Sequence, residues 1–262
     1  MPIVTAGNAR VHYTVTGTGP PLVLVHGTGA LGAEGTWSGI APALADRRTV
    51  IAPDLSGTGR TEDDGAPLTV EGLAAQVAAV IGHAAAGPAA VLGYSLGAPV
   101  AAALAALRPD LVASLITVAG WAHTEGDAYL SNEFALWRFL GDLDAEAFGR
   151  CVTMTGFSRG FLCALGHDEV ERLVRAMPPT PGTLRHVDLD RRMDIRALLP
   201  RVRARTLVIG CAQDATVPVE HSRALHAAIA GAQYAEIDAG HAVFFEQPEE
   251  FVKLVRDFVP AS

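Results

Sequence analysis

At 262 residues, half of them hydrophobic, the chain can bury a full core, and α/β folds of this length commonly form one domain, here with an insertion. A net charge of −8 leaves no broad basic surface for a phosphate backbone, which argues against nucleic acid as a partner. The three cysteines, Cys151, Cys163 and Cys211, are odd in number and lack metal spacing, so neither a disulfide framework nor a zinc site is expected and a reducing cytoplasm fits best.

Met1 to Tyr13 has no basic stretch ahead of an apolar run and does not read as a signal peptide. Arg10 to Thr16 alternates as a strand, Gly17-Thr18-Gly19-Pro20 punctuates, and Pro21 to Val25 is a continuous apolar strand ending at His26-Gly27-Thr28-Gly29. The pattern predicts a helix over Trp37 to Ala45 and a buried strand over Thr49 to Ala52. The loop from Asp54 to Thr61 lacks the third glycine and the distal acidic residue of a dinucleotide fingerprint. A helix follows over Val70 to Ala85, with Thr69 or Leu68 near its start. No residue between Glu71 and Arg108 is charged, as in a membrane span. Gly87-Pro88 and later glycines break that run, so a helix, a buried strand and a second helix inside a core are expected, with no membrane partner.

That buried strand, Ala89 to Leu92, runs into Gly93-Tyr94-Ser95-Leu96-Gly97 and then a helix over Pro99 to Leu107. Gly-x-Ser-x-Gly at a strand-to-helix junction is a sharp turn: the serine backbone is strained, the glycines remove side chains that would collide, and the hydroxyl is lifted clear of the sheet. Leu115 to Ala119 is another buried strand. From Trp121 to Leu199 the chain shows helical patches at Phe134 to Leu140, Ala145 to Phe148 and Glu169 to Ala176, and no buried strand. Alternation then resumes with strands over Thr206 to Gly210 and Tyr234 to Ile237 and helices over Glu220 to Ala230 and Glu249 to Val259. Strands alternating with helices call for a mostly parallel sheet covered on both faces. Residues 1–120 and 199–262 read as the core and 121–198 as a helical insertion.

A serine hydroxyl is a poor nucleophile at neutral pH, so Ser95 needs an adjacent base and the base needs an acid to fix its tautomer. Of nine histidines, His241 follows the last strand, on the sheet edge from which the Ser95 turn projects. His12, His83, His167, His186 and His226 read as ordinary surface or core residues, and His26 as a structural hydrogen-bonding residue. Asp214, after the penultimate strand, is the expected acid. Asp238 is its rival, although a carboxylate so near in sequence more often caps backbone amides, and Glu125 is a third choice.

In this order, on these strand ends, the motifs resemble the α/β-hydrolase family: His26-Gly27-Thr28 its oxyanion loop, Asp54 to Thr61 its Gly-x-Gly loop, Gly93 to Gly97 its nucleophile elbow, Asp214 and His241 the rest of its triad. The resemblance implies an α/β-hydrolase fold with a helical lid, and oxyanion donors at the backbone amides of Thr28 and Leu96. It implies acyl transfer through a Ser95 ester, with no cofactor and no metal. Serine at the elbow argues against members that carry aspartate there and open alkyl halides or epoxides.

The expected substrate is a small or medium, largely apolar ester, lactone or thioester, with amide, carbamate and carbon–carbon bond hydrolysis within the family's range. Two alternatives stand beside it: an acyltransferase or cyclase using the same triad, and a ligand-binding sensor with slow or no turnover. Trp121, His123, Trp137, Phe157 and Phe161 are candidate pocket residues. The arginine-rich run Arg185 to Arg205 reads as a solvated, internally paired face, with docking of an acyl-carrier protein as the other reading. The sequence leaves the oligomeric state open.

Overall fold

Each strand forms where apolar residues can be buried on one face of a sheet or, in its middle, on both faces at once. In the computed structural model, which describes residues 2–29 and 31–259, these are β2 (Ala9–Thr16), β3 (Pro21–Val25), β4 (Thr49–Pro53), β5 (Ala89–Tyr94), β6 (Val112–Val118), β7 (Arg205–Cys211) and β8 (Gln233–Ile237), with β1 (Ile3–Ala6) ahead of them. They make one eight-stranded sheet in the order β1-β2-β4-β3-β5-β6-β7-β8. The pairs β1–β2 and β2–β4 are antiparallel, and every pair from β4 to β8 is parallel. The sequence pattern did not single out β1. Its signal is Gly7-Asn8, which closes a hairpin pairing Ala6 with Ala9, Gly7 adopting φ +58°.

Alternate residues of β3 explain the double burial: Val23 and Val25 join one apolar cluster, Leu22 and Leu24 the other. The first cluster is completed by α3 (Val70–Ala84), α4 (Gly97–Leu107) and α10 (Val219–Ala228), the second by α1 (Gly32–Trp37), α2 (Ala41–Ala45) and α12 (Pro248–Phe258). Every residue of α4 from Gly97 to Ala106 is buried, and small side chains let it lie close to both sheet and α3. This accounts for the charge-free stretch. Among the described residues no helix is long and apolar enough to cross a membrane.

One expected helix is two. Over Trp37 to Ala45 the chain ends α1, turns through Ser38 to Ile40 and restarts as α2, with Pro42 in its first turn. A continuous helix would drive the Pro42 ring into the carbonyl of residue 38, whereas in a first turn its missing N–H costs nothing.

Between β6 and β7 lie α5 (Ala128–Leu143), α6 (Ala145–Gly156), α7 (Arg159–Leu165), α8 (His167–Ala176) and α9 (Pro181–Asp190), more helix than the three apolar patches indicate. Their starts carry a signal that periodicity passes over. Asp127, Asp144, Ser158 and Thr180 each accept an amide proton from the first turn of α5, α6, α7 and α9. The short α11 (Val243–Glu246) follows His241.

Candidate active site

Ser95, Asp214 and His241 meet beyond the carboxyl ends of parallel strands, where an open α/β sheet leaves a crevice. Ser95 follows β5, flanked in the sheet by β3 and β6, and its amide donates to Val118 O at 2.9 Å. Its φ of 54° is a left-handed conformation that a non-glycine residue adopts at a cost of about 1–3 kcal/mol. The flanking glycines answer to close approach: a Cβ on Gly93 would lie 2.0 Å from Gly97 O, and one on Gly97 2.1 Å from Val25 O.

The turn presents Ser95 Oγ at 2.9 Å from His241 Nε2, and His241 Nδ1 lies 2.6 Å from Asp214 Oδ2. The other carboxylate oxygen accepts the amides of Thr216 and Val217 at 2.9 and 2.8 Å. With Asp214 as acceptor on one side, Nδ1 carries the imidazole proton and Nε2 is left as the acceptor facing the serine. All three side chains are buried, and the Tyr94 ring packs on the imidazole with centroids 5.1 Å apart. Burial pushes the Tyr94 phenol well above its usual range, so it stays neutral here.

The rival carboxylates are elsewhere. Asp238 accepts from Gln213 Nε2 at 2.6 Å, and Glu125 meets His123 through its carbonyl. His26 is fully buried, accepts the Leu55 amide at Nε2 and donates from Nδ1 to Gly27 O. Burial lowers its pKa and keeps the ring neutral.

Thr28 lines the cavity above Ser95 and Leu96 precedes the first turn of α4. Among the described residues neither amide has a protein acceptor, so both N–H groups are available.

The family profile for the alpha/beta hydrolase fold matches residues 20–248. The chain belongs to the α/β-hydrolase family. It is 39% identical to a pyrrolizixenacetamide deacetylase of Xenorhabdus hominickii, over 98% of this chain and 97% of that protein. It is 31% identical to a pimeloyl-[acyl-carrier protein] methyl ester esterase of Methylococcus capsulatus, over 94% and 97% of the two chains. The crystal structure of an enol-lactonase from Burkholderia xenovorans superposes with a TM-score of 0.86 at 23% identity, covering 98% of this chain and 99% of that one, which shows the shared fold.

In this α/β-hydrolase the cavity at Ser95 and His241 measures about 90 Å³. A second, of about 50 Å³, adjoins it through Thr28, Trp137, Val152 and Met177, which line both. A surface cleft of about 950 Å³ between α2 and α12 is larger but holds none of Ser95, Asp214 and His241; size alone does not locate chemistry. Of the expected pocket residues, Trp137 and Phe157 line the Ser95 cavity and Trp121, His123 and Phe161 do not. Trp121 is fully buried under α5, its indole N–H bonded to Thr124 Oγ1 at 2.9 Å. His123 bridges to Asp194, and Phe161 stacks behind Phe157 at 5.4 Å.

The walls that sequence reasoning missed include Val152, Phe244 and Phe245. The two phenylalanines sit within four residues of His241 in sequence, which was the available signal. Glu133, one turn before Trp137, is also buried and accepts the Trp137 indole N–H at 2.9 Å. Burial raises its carboxyl, against the opposing hydrogen bonds from Thr155 and Trp137. Among the described residues no cluster of three or more His, Cys, Asp or Glu is arranged to hold a metal. In the arginine-rich run, Arg185 pairs with Asp63, Arg191 with Asp188 and Arg196 with Asp194.

Proposed function

We propose that this α/β-hydrolase is a serine hydrolase that removes a small acyl group from a largely apolar ester or amide through a Ser95 acyl-enzyme. The observation that carries the reading is the line from Asp214 through His241 to Ser95 Oγ, at 2.6 and 2.9 Å, opening into a small cavity. His241 takes the serine proton as Oγ attacks the acyl carbon, returns it to the leaving group, and then activates the water that cleaves the ester. The Thr28 and Leu96 amides receive the oxyanion, and each is worth about 10²-fold to 10³-fold in rate. The helices α5 to α8 act as a lid, contributing Trp137, Val152 and Phe157 to the walls.

Cavity size supports a small acyl group. Pockets for drug-sized ligands run to about 300–1,000 Å³, and the two spaces beside Ser95 fall well below that. Amide cleavage is favoured as a second leaving-group class by the relative named a deacetylase, whose name describes removal of an acetyl group.

Nitrophenyl esters from acetyl to octanoyl, assayed beside the matching anilides, test both points. The expected result is a maximum at acetyl to butyryl, complete loss in Ser95→Ala, and loss of fluorophosphonate labelling in the same variant. Labelling or turnover that survives Ser95→Ala overturns the reading. The anilide-to-ester ratio decides between the leaving groups.

A further inference from the structure

Helix α9 is fastened to the core along its whole length. At its start a Cβ on Gly182 would lie 1.8 Å from Gly57 O, so helix and loop backbones are in contact. Arg185 then grips the Asp63 carboxylate with two bonds of 2.9 and 3.0 Å, and His186 donates from Nε2 to Ser56 O at 2.7 Å. At its end Asp190 Oδ2 accepts the Thr28 hydroxyl at 2.6 Å, and the Asp190 carbonyl accepts that of Thr124 at 2.6 Å. One helix thus ties together the loops after β3, β4 and β6.

Asp190 is the unusual member. Its side chain is fully buried, and Oδ1 has no hydrogen-bond partner among the described residues. A buried carboxyl with a single hydroxyl for company is unfavourable for stability. What this contact does is hold Thr28, which lines the cavity at Ser95.

We propose that Asp190 is a positioning residue for acyl transfer: its bond to the Thr28 hydroxyl fixes the Thr28 amide toward the oxyanion that forms on Ser95. The inference rests on Thr28 as an oxyanion donor in the reading above. The bond survives protonation, since a neutral carboxyl can accept from the same hydroxyl or donate to it.

Burial pushes the Asp190 carboxyl up to about 8, with the Thr28 bond opposing the shift. Among the described residues no basic group compensates. On its own helix His186 is held neutral, pushed down to about 4 by burial and by His26, and Arg185 is committed to Asp63. In the Thr28 loop His26 is neutral, and beyond α9 Asp194 is paired with Arg196. Above about pH 8 Asp190 ionises, and a buried negative charge beside the oxyanion loop opposes the charge that the transition state develops.

The test is steady-state hydrolysis of p-nitrophenyl acetate by the full chain from pH 6 to 9, in wild type, Asp190→Leu, Thr28→Val, the double variant and Asp190→Asn. Asp190→Leu and Thr28→Val are each expected to lower kcat by about 10-fold to 100-fold, with KM held within about threefold and the double variant no worse than the weaker single one. Asp190→Asn is expected to recover most of the loss at pH 7 and to abolish the alkaline decline expected of wild type near pH 8. Losses that multiply in the double variant, a kcat in Thr28→Val equal to wild type, or an alkaline decline that persists in Asp190→Asn each overturn the proposal. Should Asp190→Leu fail to fold, Thr28→Val and Asp190→Asn still decide. Failure of the underlying reading shows separately, as turnover that survives Ser95→Ala.

Discussion

Asp214 meets His241 through one carboxylate oxygen and holds its own turn with the other: Oδ2 takes the Nδ1 proton at 2.6 Å while Oδ1 takes the amides of Thr216 and Val217. The carboxylate is therefore oriented before the imidazole arrives. In Asp214→Asn the carbonyl oxygen is kept by those two amides and the NH₂ is turned toward His241. The ring must then carry its proton on Nε2, facing Ser95 as a donor where an acceptor is needed. We expect kcat to fall by about 10³-fold to 10⁴-fold, with KM and the thermal unfolding midpoint little changed. A loss below tenfold in steady-state assays would count against the tautomer argument.

Gly27 sets the space around the serine. A Cβ there would stand 2.8 Å from Ser95 Cβ and 3.3 Å from Oγ, too close for either to remain in place. Gly27→Ala is expected to displace Oγ from His241 and to slow both fluorophosphonate labelling and ester turnover by about 10²-fold. Circular dichroism should match wild type, since the methyl meets the serine and the Tyr94 ring, not a helix. Labelling at the wild-type rate would mean that the loop yields instead.

The sheet was legible because strands buried on both faces write continuous apolar runs, as Pro21 to Val25 and Ala89 to Leu92 do. The elbow and the residues after β7 and β8 were legible because parallel topology brings strand ends to one edge. The pocket walls were not. Trp121 and Phe161 are as apolar as Trp137 and Phe157, and only the tertiary packing of the loops and helices that carry them decides which rings face Ser95. Asp190 was least visible of all: it lies in a run of arginines and aspartates that reads as a solvated face, yet the last turn of α9 points it inward while its neighbours Asp188 and Asp194 meet arginines outside.

Asp190 and His186 act on stability with opposite signs. The Asp190 carboxyl rises from 3.8 to about 8 on folding. Between those values the native state holds a proton that the unfolded chain has lost, so stability falls as pH rises through that window and levels off above it. His186 drops from 6.5 to about 4. There the unfolded chain binds the extra proton, and stability is lost as pH falls through that window. The two slopes oppose each other between about pH 4 and 6.5, and above that Asp190 acts alone. Urea unfolding at pH 5, 6.5 and 8 should show Asp190→Asn gaining on wild type as pH rises, by at most about 1.4 kcal/mol per pH unit. A difference independent of pH would show that the carboxyl is ionised throughout.

Met177 stands at the join between the two small cavities, lining both along with Trp137 and Val152. It follows α8 and is only partly buried against Phe157 and Leu162, so truncating it opens space without removing a central core residue. Met177→Ala is expected to merge the cavities and move the preferred acyl chain from acetyl or butyryl toward hexanoyl. Each methylene in an apolar pocket is worth about 1–3 kcal/mol of discrimination, or about 10-fold to 200-fold in kcat/KM, so the shift should be plain in the nitrophenyl ester series. Phe161→Ala serves as the contrast. Phe161 supports Phe157 from behind and does not line the Ser95 cavity, so its loss should lower thermal stability and leave the chain-length optimum at acetyl to butyryl. If the two variants gave the same acyl profile, the idea that Met177 divides the two cavities and limits chain length would fail.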